Sequence, residues 1–346
     1  AARNAFSILF GVGVALSIGA SAHAATLEEA LSSLLLTHPN IKAASKAVAS
    51  ARANIDKAAA GFYPKVNVLG TTGPEIIDSP STRSSNVDSK RSVLRKQTAA
   101  LTVTQNIYNG GATSSATKQA RYAKAAGEAK ADDTTQQILM EGVKAYLDVL
   151  RQLQQVELAT QNEETIQIQL NLEDERVQKG SGIAVDVLQA KSRLQLSKER
   201  RVRFEGALED AFTRYTQTFN VAPQIDQLVE PMPSADLIPD SLEAAINIAL
   251  SENPQLQLSD RQVAIAREKK ASSGYDLYPN IDIIGKMGYE LDNSATEGTR
   301  RDMSVLLQAN WDLFTGFTTR STVAQASFDY AASRDTYDYT IRKTVE

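Results

Sequence analysis

Two histidines, His23 and His38, and no cysteine are all the imidazole and thiol that this chain of 346 residues offers. Those groups supply most general bases at neutral pH and most soft metal ligands. Nucleophilic and zinc-type chemistry therefore has almost no material to work with. Carboxylates are plentiful, and two runs, Glu163-Glu164 and Glu173-Asp174-Glu175, could be considered as acid–base pairs. Both fall in a long stretch of helical spacing, where neighbouring acids read as a solvated face. Gly11-Val12-Gly13 lies inside an apolar leader, and His38, just before Pro39, reads as a helix-end residue rather than a ligand. No catalytic, cofactor-binding or metal site is expected, and the chain is not expected to be an enzyme.

Charge narrows the partners. With 37 basic and 41 acidic side chains, the formal net charge is −4. That balance carries no footprint for a polyphosphate, so nucleic acid is not expected to bind. The absence of thiols suits an oxidising compartment. Arg3, the apolar run Phe6 to Ala20 and the small-x-small triplet Ala22-His23-Ala24 read together as an export signal over 1–24. Beyond it no apolar stretch is long enough for a membrane helix, so any membrane entry would have to be by strands in a closed barrel.

The elements that would position any site are written twice. Residues 27–70 align on 242–285 without a gap, pairing Pro39 with Pro254, Tyr63-Pro64 with Tyr278-Pro279, and Gly70 with Gly285. Farther along, Ile107-Tyr108-Asn109-Gly110 matches Leu313-Phe314-Thr315-Gly316 at a shorter offset, so the intervening loop is longer in the first copy. The chain divides into a first repeat over 25–222, a proline-rich linker over 223–240, and a second repeat over 241–346. The second repeat is expected to be truncated, because it stops short of the length of the first.

Within one repeat the periodicity changes. Leu27, Ala30, Leu31, Leu34 and Leu35 recur at helical spacing, and Pro39 opens a second helix that Pro64 closes. The period then becomes two. Ile281, Ile283, Met287, Tyr289 and Leu291 alternate with polar residues, as do Met303, Val305, Leu307, Ala309, Trp311 and Leu313. Ile284 and Leu306 break the pattern. Runs of about 10–12 residues have the length of tilted membrane strands, although an amphipathic hairpin laid on a core would show the same alternation. Leu101, Val103, Ile107, Ile281, Ile283, Met287, Leu307 and Trp311 are assigned to a lipid-facing set. Thr102, Thr104, Asn106, Asp282, Asn310 and Asp312 form the opposite, lumen-facing set. The polar stretch 71–97, with Arg83, Lys90, Arg91, Arg95 and Lys96, reads as an exterior loop.

From Gly110 to about Lys179 no proline interrupts the chain, and Leu139, Val143, Tyr146, Leu150 and Leu153 step as a coiled-coil seam. Such a helix would run roughly 100 Å at about 1.5 Å per residue. Gly180-Ser181-Gly182 breaks it, and a return helix follows with Leu208, Phe212, Tyr215 and Phe219 on one stripe. Strands and glycine turn would sit at opposite ends of a rod.

This order, duplicated behind an export signal, resembles the TolC family of outer-membrane channels. Three motifs carry the resemblance: Tyr63-Pro64 with Val66 and Val68 at the helix-to-strand junction, Thr104 to Gly111 at the strand-to-helix junction, and Gly180 through Asp186-Val187-Leu188-Gln189-Ala190 at the tip. The resemblance implies a mainly α fold with a membrane β-barrel contribution. A homotrimer would close twelve strands into a barrel in the outer-membrane lipid and continue it as a periplasmic α-barrel. It further implies export of drugs or type I secreted proteins, driven by an inner-membrane ABC or proton-driven pump through a periplasmic adaptor (membrane fusion protein). Lys179, Gly180, Ser181, Gly182 and Asp186 would meet that adaptor, and Asp186 would either brace a closed entrance or simply favour its helix dipole. A periplasmic adaptor and a coiled-coil scaffold remain the competing readings. Neither accounts for a duplicated pair of membrane-length strands.

Overall fold

A computed structural model describes residues 26–80, 91–232 and 238–346. The expected export signal, Arg83 and Lys90 lie outside these residues. Seven α-helices and four strands are formed among them. Each repeat opens on a short helix and then a longer one: α1 (Leu27–Thr37) and α2 (Pro39–Ala59), then α5 (Leu242–Glu252) and α6 (Pro254–Ser272). The entry caps explain the boundaries. Thr26 and Glu29 close a reciprocal capping box on α1, with Oγ1 accepting from the Glu29 amide at 3.3 Å and Glu29 Oε2 accepting from the Thr26 amide at 3.4 Å. His38 is the N-cap of α2, its Nδ1 accepting from the Asn40 amide at 3.2 Å, with Pro39 in the first turn where no N–H is needed.

Both longer helices tighten into a 3₁₀ turn, Ala60–Phe62 and Tyr275–Leu277. The next residues, Tyr63 (φ −103, ψ 154) and Tyr278 (φ −103, ψ 150), are extended, as a residue before proline must be. The strands start directly afterwards. β1 (Lys65–Ile77), β2 (Ser92–Tyr108), β3 (Asn280–Asn293) and β4 (Thr296–Asn310) form one antiparallel sheet in the order β1-β2-β3-β4.

Two corrections concern strand limits. Both ends of the expected exterior loop 71–97 are strand, since β1 runs to Ile77 and β2 starts at Ser92; Arg95 and Lys96 are ladder residues opposite Pro74 and Gly73. Pro74 lies near the far end of β1, which is an edge strand within one chain, a place where proline is found in sheets. At the other end β4 stops at Asn310, so Trp311 and Asp312 are not strand residues.

The chain separates into two compact units: the described chain up to Leu35 with Leu139–Pro233, and Leu36–Ile138 with Ser234–Glu346. The second unit holds the sheet, α2, α5, α6, α7 (Thr318–Val345) and the first part of α3 (Ala112–Gln178). The first unit holds the rest of α3 and the return helix α4 (Ala184–Phe219). Its core gathers Ala30, Tyr146, Val149, Ala211 and Tyr215, flanked by Leu150, Leu153, Phe212 and Phe219 of the expected stripes. Tyr146 is fully buried, and its hydroxyl is satisfied by the linker: it donates to the Val229 carbonyl at 2.8 Å and accepts from the Val229 amide at 3.0 Å. Across the same hairpin Asp148 accepts from Arg214 at 2.5 Å and from Arg151. Burial opposes ionisation of Asp148, but the hydrogen bonds from Arg214, Arg151 and Gln152 outweigh it and hold the carboxyl below its usual range.

Candidate functional site

The ladder register sorts the strand residues by face, because directly opposed residues in an antiparallel pair share a side. Val68 opposes Leu101, Leu101 opposes Met287, and Met287 opposes Met303. The next row is Val66, Val103, Gly285 and Val305, and beyond it Gln105, Ile283 and Leu307. Ile281, opposite Ala309, completes an apolar face that includes Leu101, Val103, Ile281, Ile283, Met287 and Leu307. It is left open: Val68, Met303, Val305 and Leu307 are each exposed by more than two thirds.

Polar residues form the other face. Thr102, opposite Asn67 and Lys286, Thr104, opposite Lys65, and Asn106, opposite Asp282, lie there with Asn310, opposite Asn280. Asn106 Nδ2 donates to Asn280 Oδ1 at 2.6 Å and to Asp282 Oδ1 at 2.9 Å, while Asn280 Nδ2 donates to Asp282 Oδ2 at 2.8 Å. Toward the hairpin ends, Glu75 reaches across β2, accepting from Lys96 Nζ at 3.1 Å and from the Ser294 amide at 2.7 Å. The two residues that interrupt the alternation, Ile284 and Leu306, oppose each other on this face, which also carries Leu69 opposite Ala100.

Two members of the expected lipid-facing set are placed otherwise. Ile107 falls in a bulge: the register shifts between Asn106 and Tyr108, so Tyr108 and not Ile107 opposes Ile281. Trp311 lies beyond β4, and its Nε1 donates to the Leu277 carbonyl at 3.0 Å. Its role is to tether the strand end to the helix-to-strand junction. Asp312 leaves the lumen-facing strand set for the same reason, since the ladder has ended before it.

The hairpin tip is built by its glycines in two different ways. Gly180 has φ +76, and the turn closes as a Schellman motif, with the Ser181 amide donating to the Arg176 carbonyl at 2.9 Å and the Gly180 amide to the Val177 carbonyl at 3.0 Å. Gly182 is outside the left-handed region. A Cβ there would lie 3.1 Å from the Val177 amide nitrogen, so close approach is what demands glycine. Lys179 directly follows α3 and pairs with Glu175 at 3.6 Å. Asp186 stands in the first turn of α4, and Ile183, Val185 and Leu188 around it are all more than half exposed.

Of the acidic runs set aside above, Glu163 is partly exposed and also reaches the neighbouring helix. It accepts from Arg201 of α4 at 2.8 Å, and with Glu205 it raises the guanidinium pKa above its ordinary value. Glu173 and Glu175 make pairs within their own helix. Among the described residues no group of His, Cys, Asp and Glu could hold a metal ion, and no helix is long and apolar enough to cross a membrane.

Comparison with known proteins agrees with this arrangement. The family model described as outer membrane efflux protein matches residues 30–219 and 245–346. The alkaline protease secretion protein AprF of Pseudomonas aeruginosa is 25% identical over 236 residues, which are 65% of this chain and 49% of that protein. The chain thus spans about half the length of that curated relative. Among solved structures, the Campylobacter jejuni CmeC outer membrane channel superposes with a TM-score of 0.77 at 14% identity, covering 92% of this chain and 68% of that one. The Vibrio cholerae outer membrane protein VceC gives 0.76 at 16% identity, covering 92% and 75%.

Proposed function

Since the chain belongs to the outer membrane efflux protein family, an outer-membrane location follows, and we propose that it supplies the wall of a passive export conduit there. One observation carries the reading: a four-stranded sheet with an apolar face and a polar face, both open, and edge strands β1 and β4 that pair with no other strand among the described residues. An open sheet of this kind has unsatisfied backbone edges that lipid would not tolerate. Closure with further copies satisfies them. The apolar face then meets lipid and the polar face, with Thr102, Thr104, Asn106, Asp282 and Asn310, lines water.

The duplication supports closure by identical copies. β2 of the first repeat pairs with β3 of the second, so β4, the counterpart of β2, is suited to pair with β1 of another chain. Carrying the pairing of Leu101 with Met287 across the two repeat offsets sets Leu307 beside Thr72 of that next copy. A homotrimer is the assembly proposed. Between the two long helices, the turn at Lys179 to Gly182, with exposed Ile183, Val185 and Leu188, is proposed to receive a periplasmic adaptor linked to an inner-membrane pump. Similarity to a protease secretion protein favours an exported polypeptide as cargo.

The test is reconstitution of the full chain, extracted from outer membranes, into planar lipid bilayers. Stepwise ion conductance is expected. Repeated reconstitution without conductance, from preparations verified to be folded, would remove the conduit reading. Cysteines placed at Leu307 and Thr72 check the closure: a disulfide between chains is expected on oxidation, and none at pairs displaced by one residue, whose side chains point to opposite faces.

A further inference from the structure

Arg301 is the basic side chain that stands beside the apolar rows of the sheet's apolar face; Arg95, of the same parity on β2, lies farther toward its strand end, opposite Pro74. Arg301 directly opposes Tyr289, and its guanidinium lies 5.9 Å from the centre of the Tyr289 ring. The parity of the strand puts both in the row after Met287 and Met303, on the side that also carries Val68 and Leu101. The carboxylates next in sequence, Glu290 and Asp302, are of opposite parity and stand on the polar face, where Glu290 meets Arg300 at 4.0 Å. Arg301 lies against the tyrosine ring and is itself exposed. The charge is therefore presented outward, above an apolar surface.

Small residues hollow the surface beneath it. Gly70 and Ala99 occupy the same row as Tyr289 and Arg301 on the neighbouring strands. A hollow of about 450 Å³ opens there, lined by Val68, Ala99, Leu101, Met287 and Met303 together with Tyr289, Arg301 and, from the next residue of β4, Asp302. Its apolar lining suits hydrocarbon and the guanidinium of Arg301 suits an anion.

Height fixes which anion. From Ile281 to Tyr289 the strand advances about 27 Å at ~3.4 Å per residue, or roughly 20 Å along the membrane normal at a tilt near 45°. Tyr289 thus marks one boundary of an apolar band whose typical height is about 25 Å. It is the boundary at the hairpin ends, away from the helices. An exposed arginine there, held against the tyrosine ring, has the plane and forked donors that suit a phosphate.

We propose that Tyr289 and Arg301 form a binding site for the phosphate-bearing headgroup of an outer-leaflet lipid, one acyl chain of which lies in the hollow over Ala99. This rests on the lipid-facing assignment of the apolar face made above. The site is distinct from the conduit, and it would fix the height and rotation of the sheet in the membrane.

Native mass spectrometry of the full chain in detergent micelles tests it, with bisphosphorylated lipid A as the probe and dephosphorylated lipid A and inorganic phosphate as comparisons. Loss of a charge-assisted contact predicts an affinity lower by about ten- to a hundredfold for the dephosphorylated lipid. Arg301→Gln is expected to weaken lipid A to that same level and to be indifferent to dephosphorylation. Arg301→Lys should retain part of the affinity, and Arg300→Gln, one residue away on the opposite face, should retain all of it. Equal affinity of the native chain and Arg301→Gln for lipid A would overturn the proposal, as would equal affinity for the two lipids. So would inorganic phosphate competing at the concentration of the lipid. Conductance of the same preparations separates the two claims: channels that conduct but ignore the phosphate sink this inference alone, whereas folded protein that neither inserts nor conducts sinks the underlying reading.

Discussion

The two repeats make the same hydrogen bonds with different side chains. In the first, Gln105 Nε2 donates to the Phe62 carbonyl at 3.1 Å; at the equivalent place in the second, Trp311 Nε1 donates to the Leu277 carbonyl at 3.0 Å. Asn109 meets Thr113 at 2.7 Å where Thr315 meets Thr319 at 3.1 Å. His38 caps α2 where Asn253 caps α6, and Thr26 caps α1 where Ser241 caps α5. What persists through the duplication is the position of a donor or acceptor that satisfies a helix end or anchors a strand end. Residue identity is free to drift around it.

The repeats differ where they meet other surfaces. Gly110 and Gly111, both at positive φ, lie against the second repeat, and a Cβ on Gly110 would come within 3.0 Å of the Tyr275 carbonyl oxygen and 3.1 Å of Tyr278 Cβ. Their counterparts are Gly316, with nothing within 4 Å, and Phe317, a non-glycine residue at φ 65. Phe62 and Tyr63 are, like their counterparts Leu277 and Tyr278, more than half exposed, so the close approach at Gly110 and not exposure distinguishes the junctions. The first strand-to-helix junction thus has its partner within the chain. Among the described residues Gly316 has no such close neighbour, which is the state expected of a surface reserved for another copy.

Valine at the two glycines probes that difference with the largest effect. At Gly110 it adds left-handed strain of about 1–2 kcal/mol to overpacking against backbone of about 1–3 kcal/mol. At Gly316 only the strain applies within one chain. Chemical denaturation of the full chain, kept dilute enough in detergent to remain unassembled, should therefore show Gly110→Val to be clearly the more damaging. Gly316→Val should instead appear as reduced assembly at higher concentration. Equal losses in the dilute state would mean that the second junction is already packed.

Sequence patterning revealed what burial and turns enforce. Helix ends announced themselves through Pro39, Pro64 and their copies, and the tip through Gly180, because a cap or a left-handed turn narrows the choice of residue. Strand limits were less legible. Thr71 to Ile77 and Ser92 to Gln97 extend past the apolar band, where both faces carry polar residues and alternation carries no signal. At the opposite end Trp311 and Leu313 continue the alternation after the ladder has stopped. The Ile107 bulge was invisible because an extra residue leaves composition unchanged. Long-range partners, such as Glu163 with Arg201 or Tyr146 with Val229, depend on which elements meet, and no local period encodes that.

Exchanging the tethering side chains sharpens the equivalence of Gln105 and Trp311. Trp311→Phe removes the donor to Leu277 but keeps an aromatic ring, and a loss of about 1 kcal/mol is expected. Trp311→Gln, which imports the donor of the first repeat, should recover most of the hydrogen-bond contribution. Should Trp311→Gln prove worse than Trp311→Phe in equilibrium unfolding, the ring and not the N–H is what the second repeat retains.

Phe317 gives the smallest effect and the finest discrimination. Replacing it by glycine, the residue found at Gly111 in the first repeat, relieves left-handed strain of about 1 kcal/mol. It also removes the edge-on contact with Phe314, whose centroid is 5.5 Å away, an interaction of about 0.5–1.5 kcal/mol. These nearly cancel, so the unassembled chain should unfold within about 0.5 kcal/mol of the native sequence. Phe317 is 66% exposed in one chain, and keeping a large apolar side chain in a strained, open position is explicable if a second copy covers it. Assembly measured by sedimentation in detergent should then weaken although the single chain does not. A change confined to the single chain would show that Phe317 serves its own repeat, and the asymmetry between the junctions would lose its meaning as a sign of a missing neighbour.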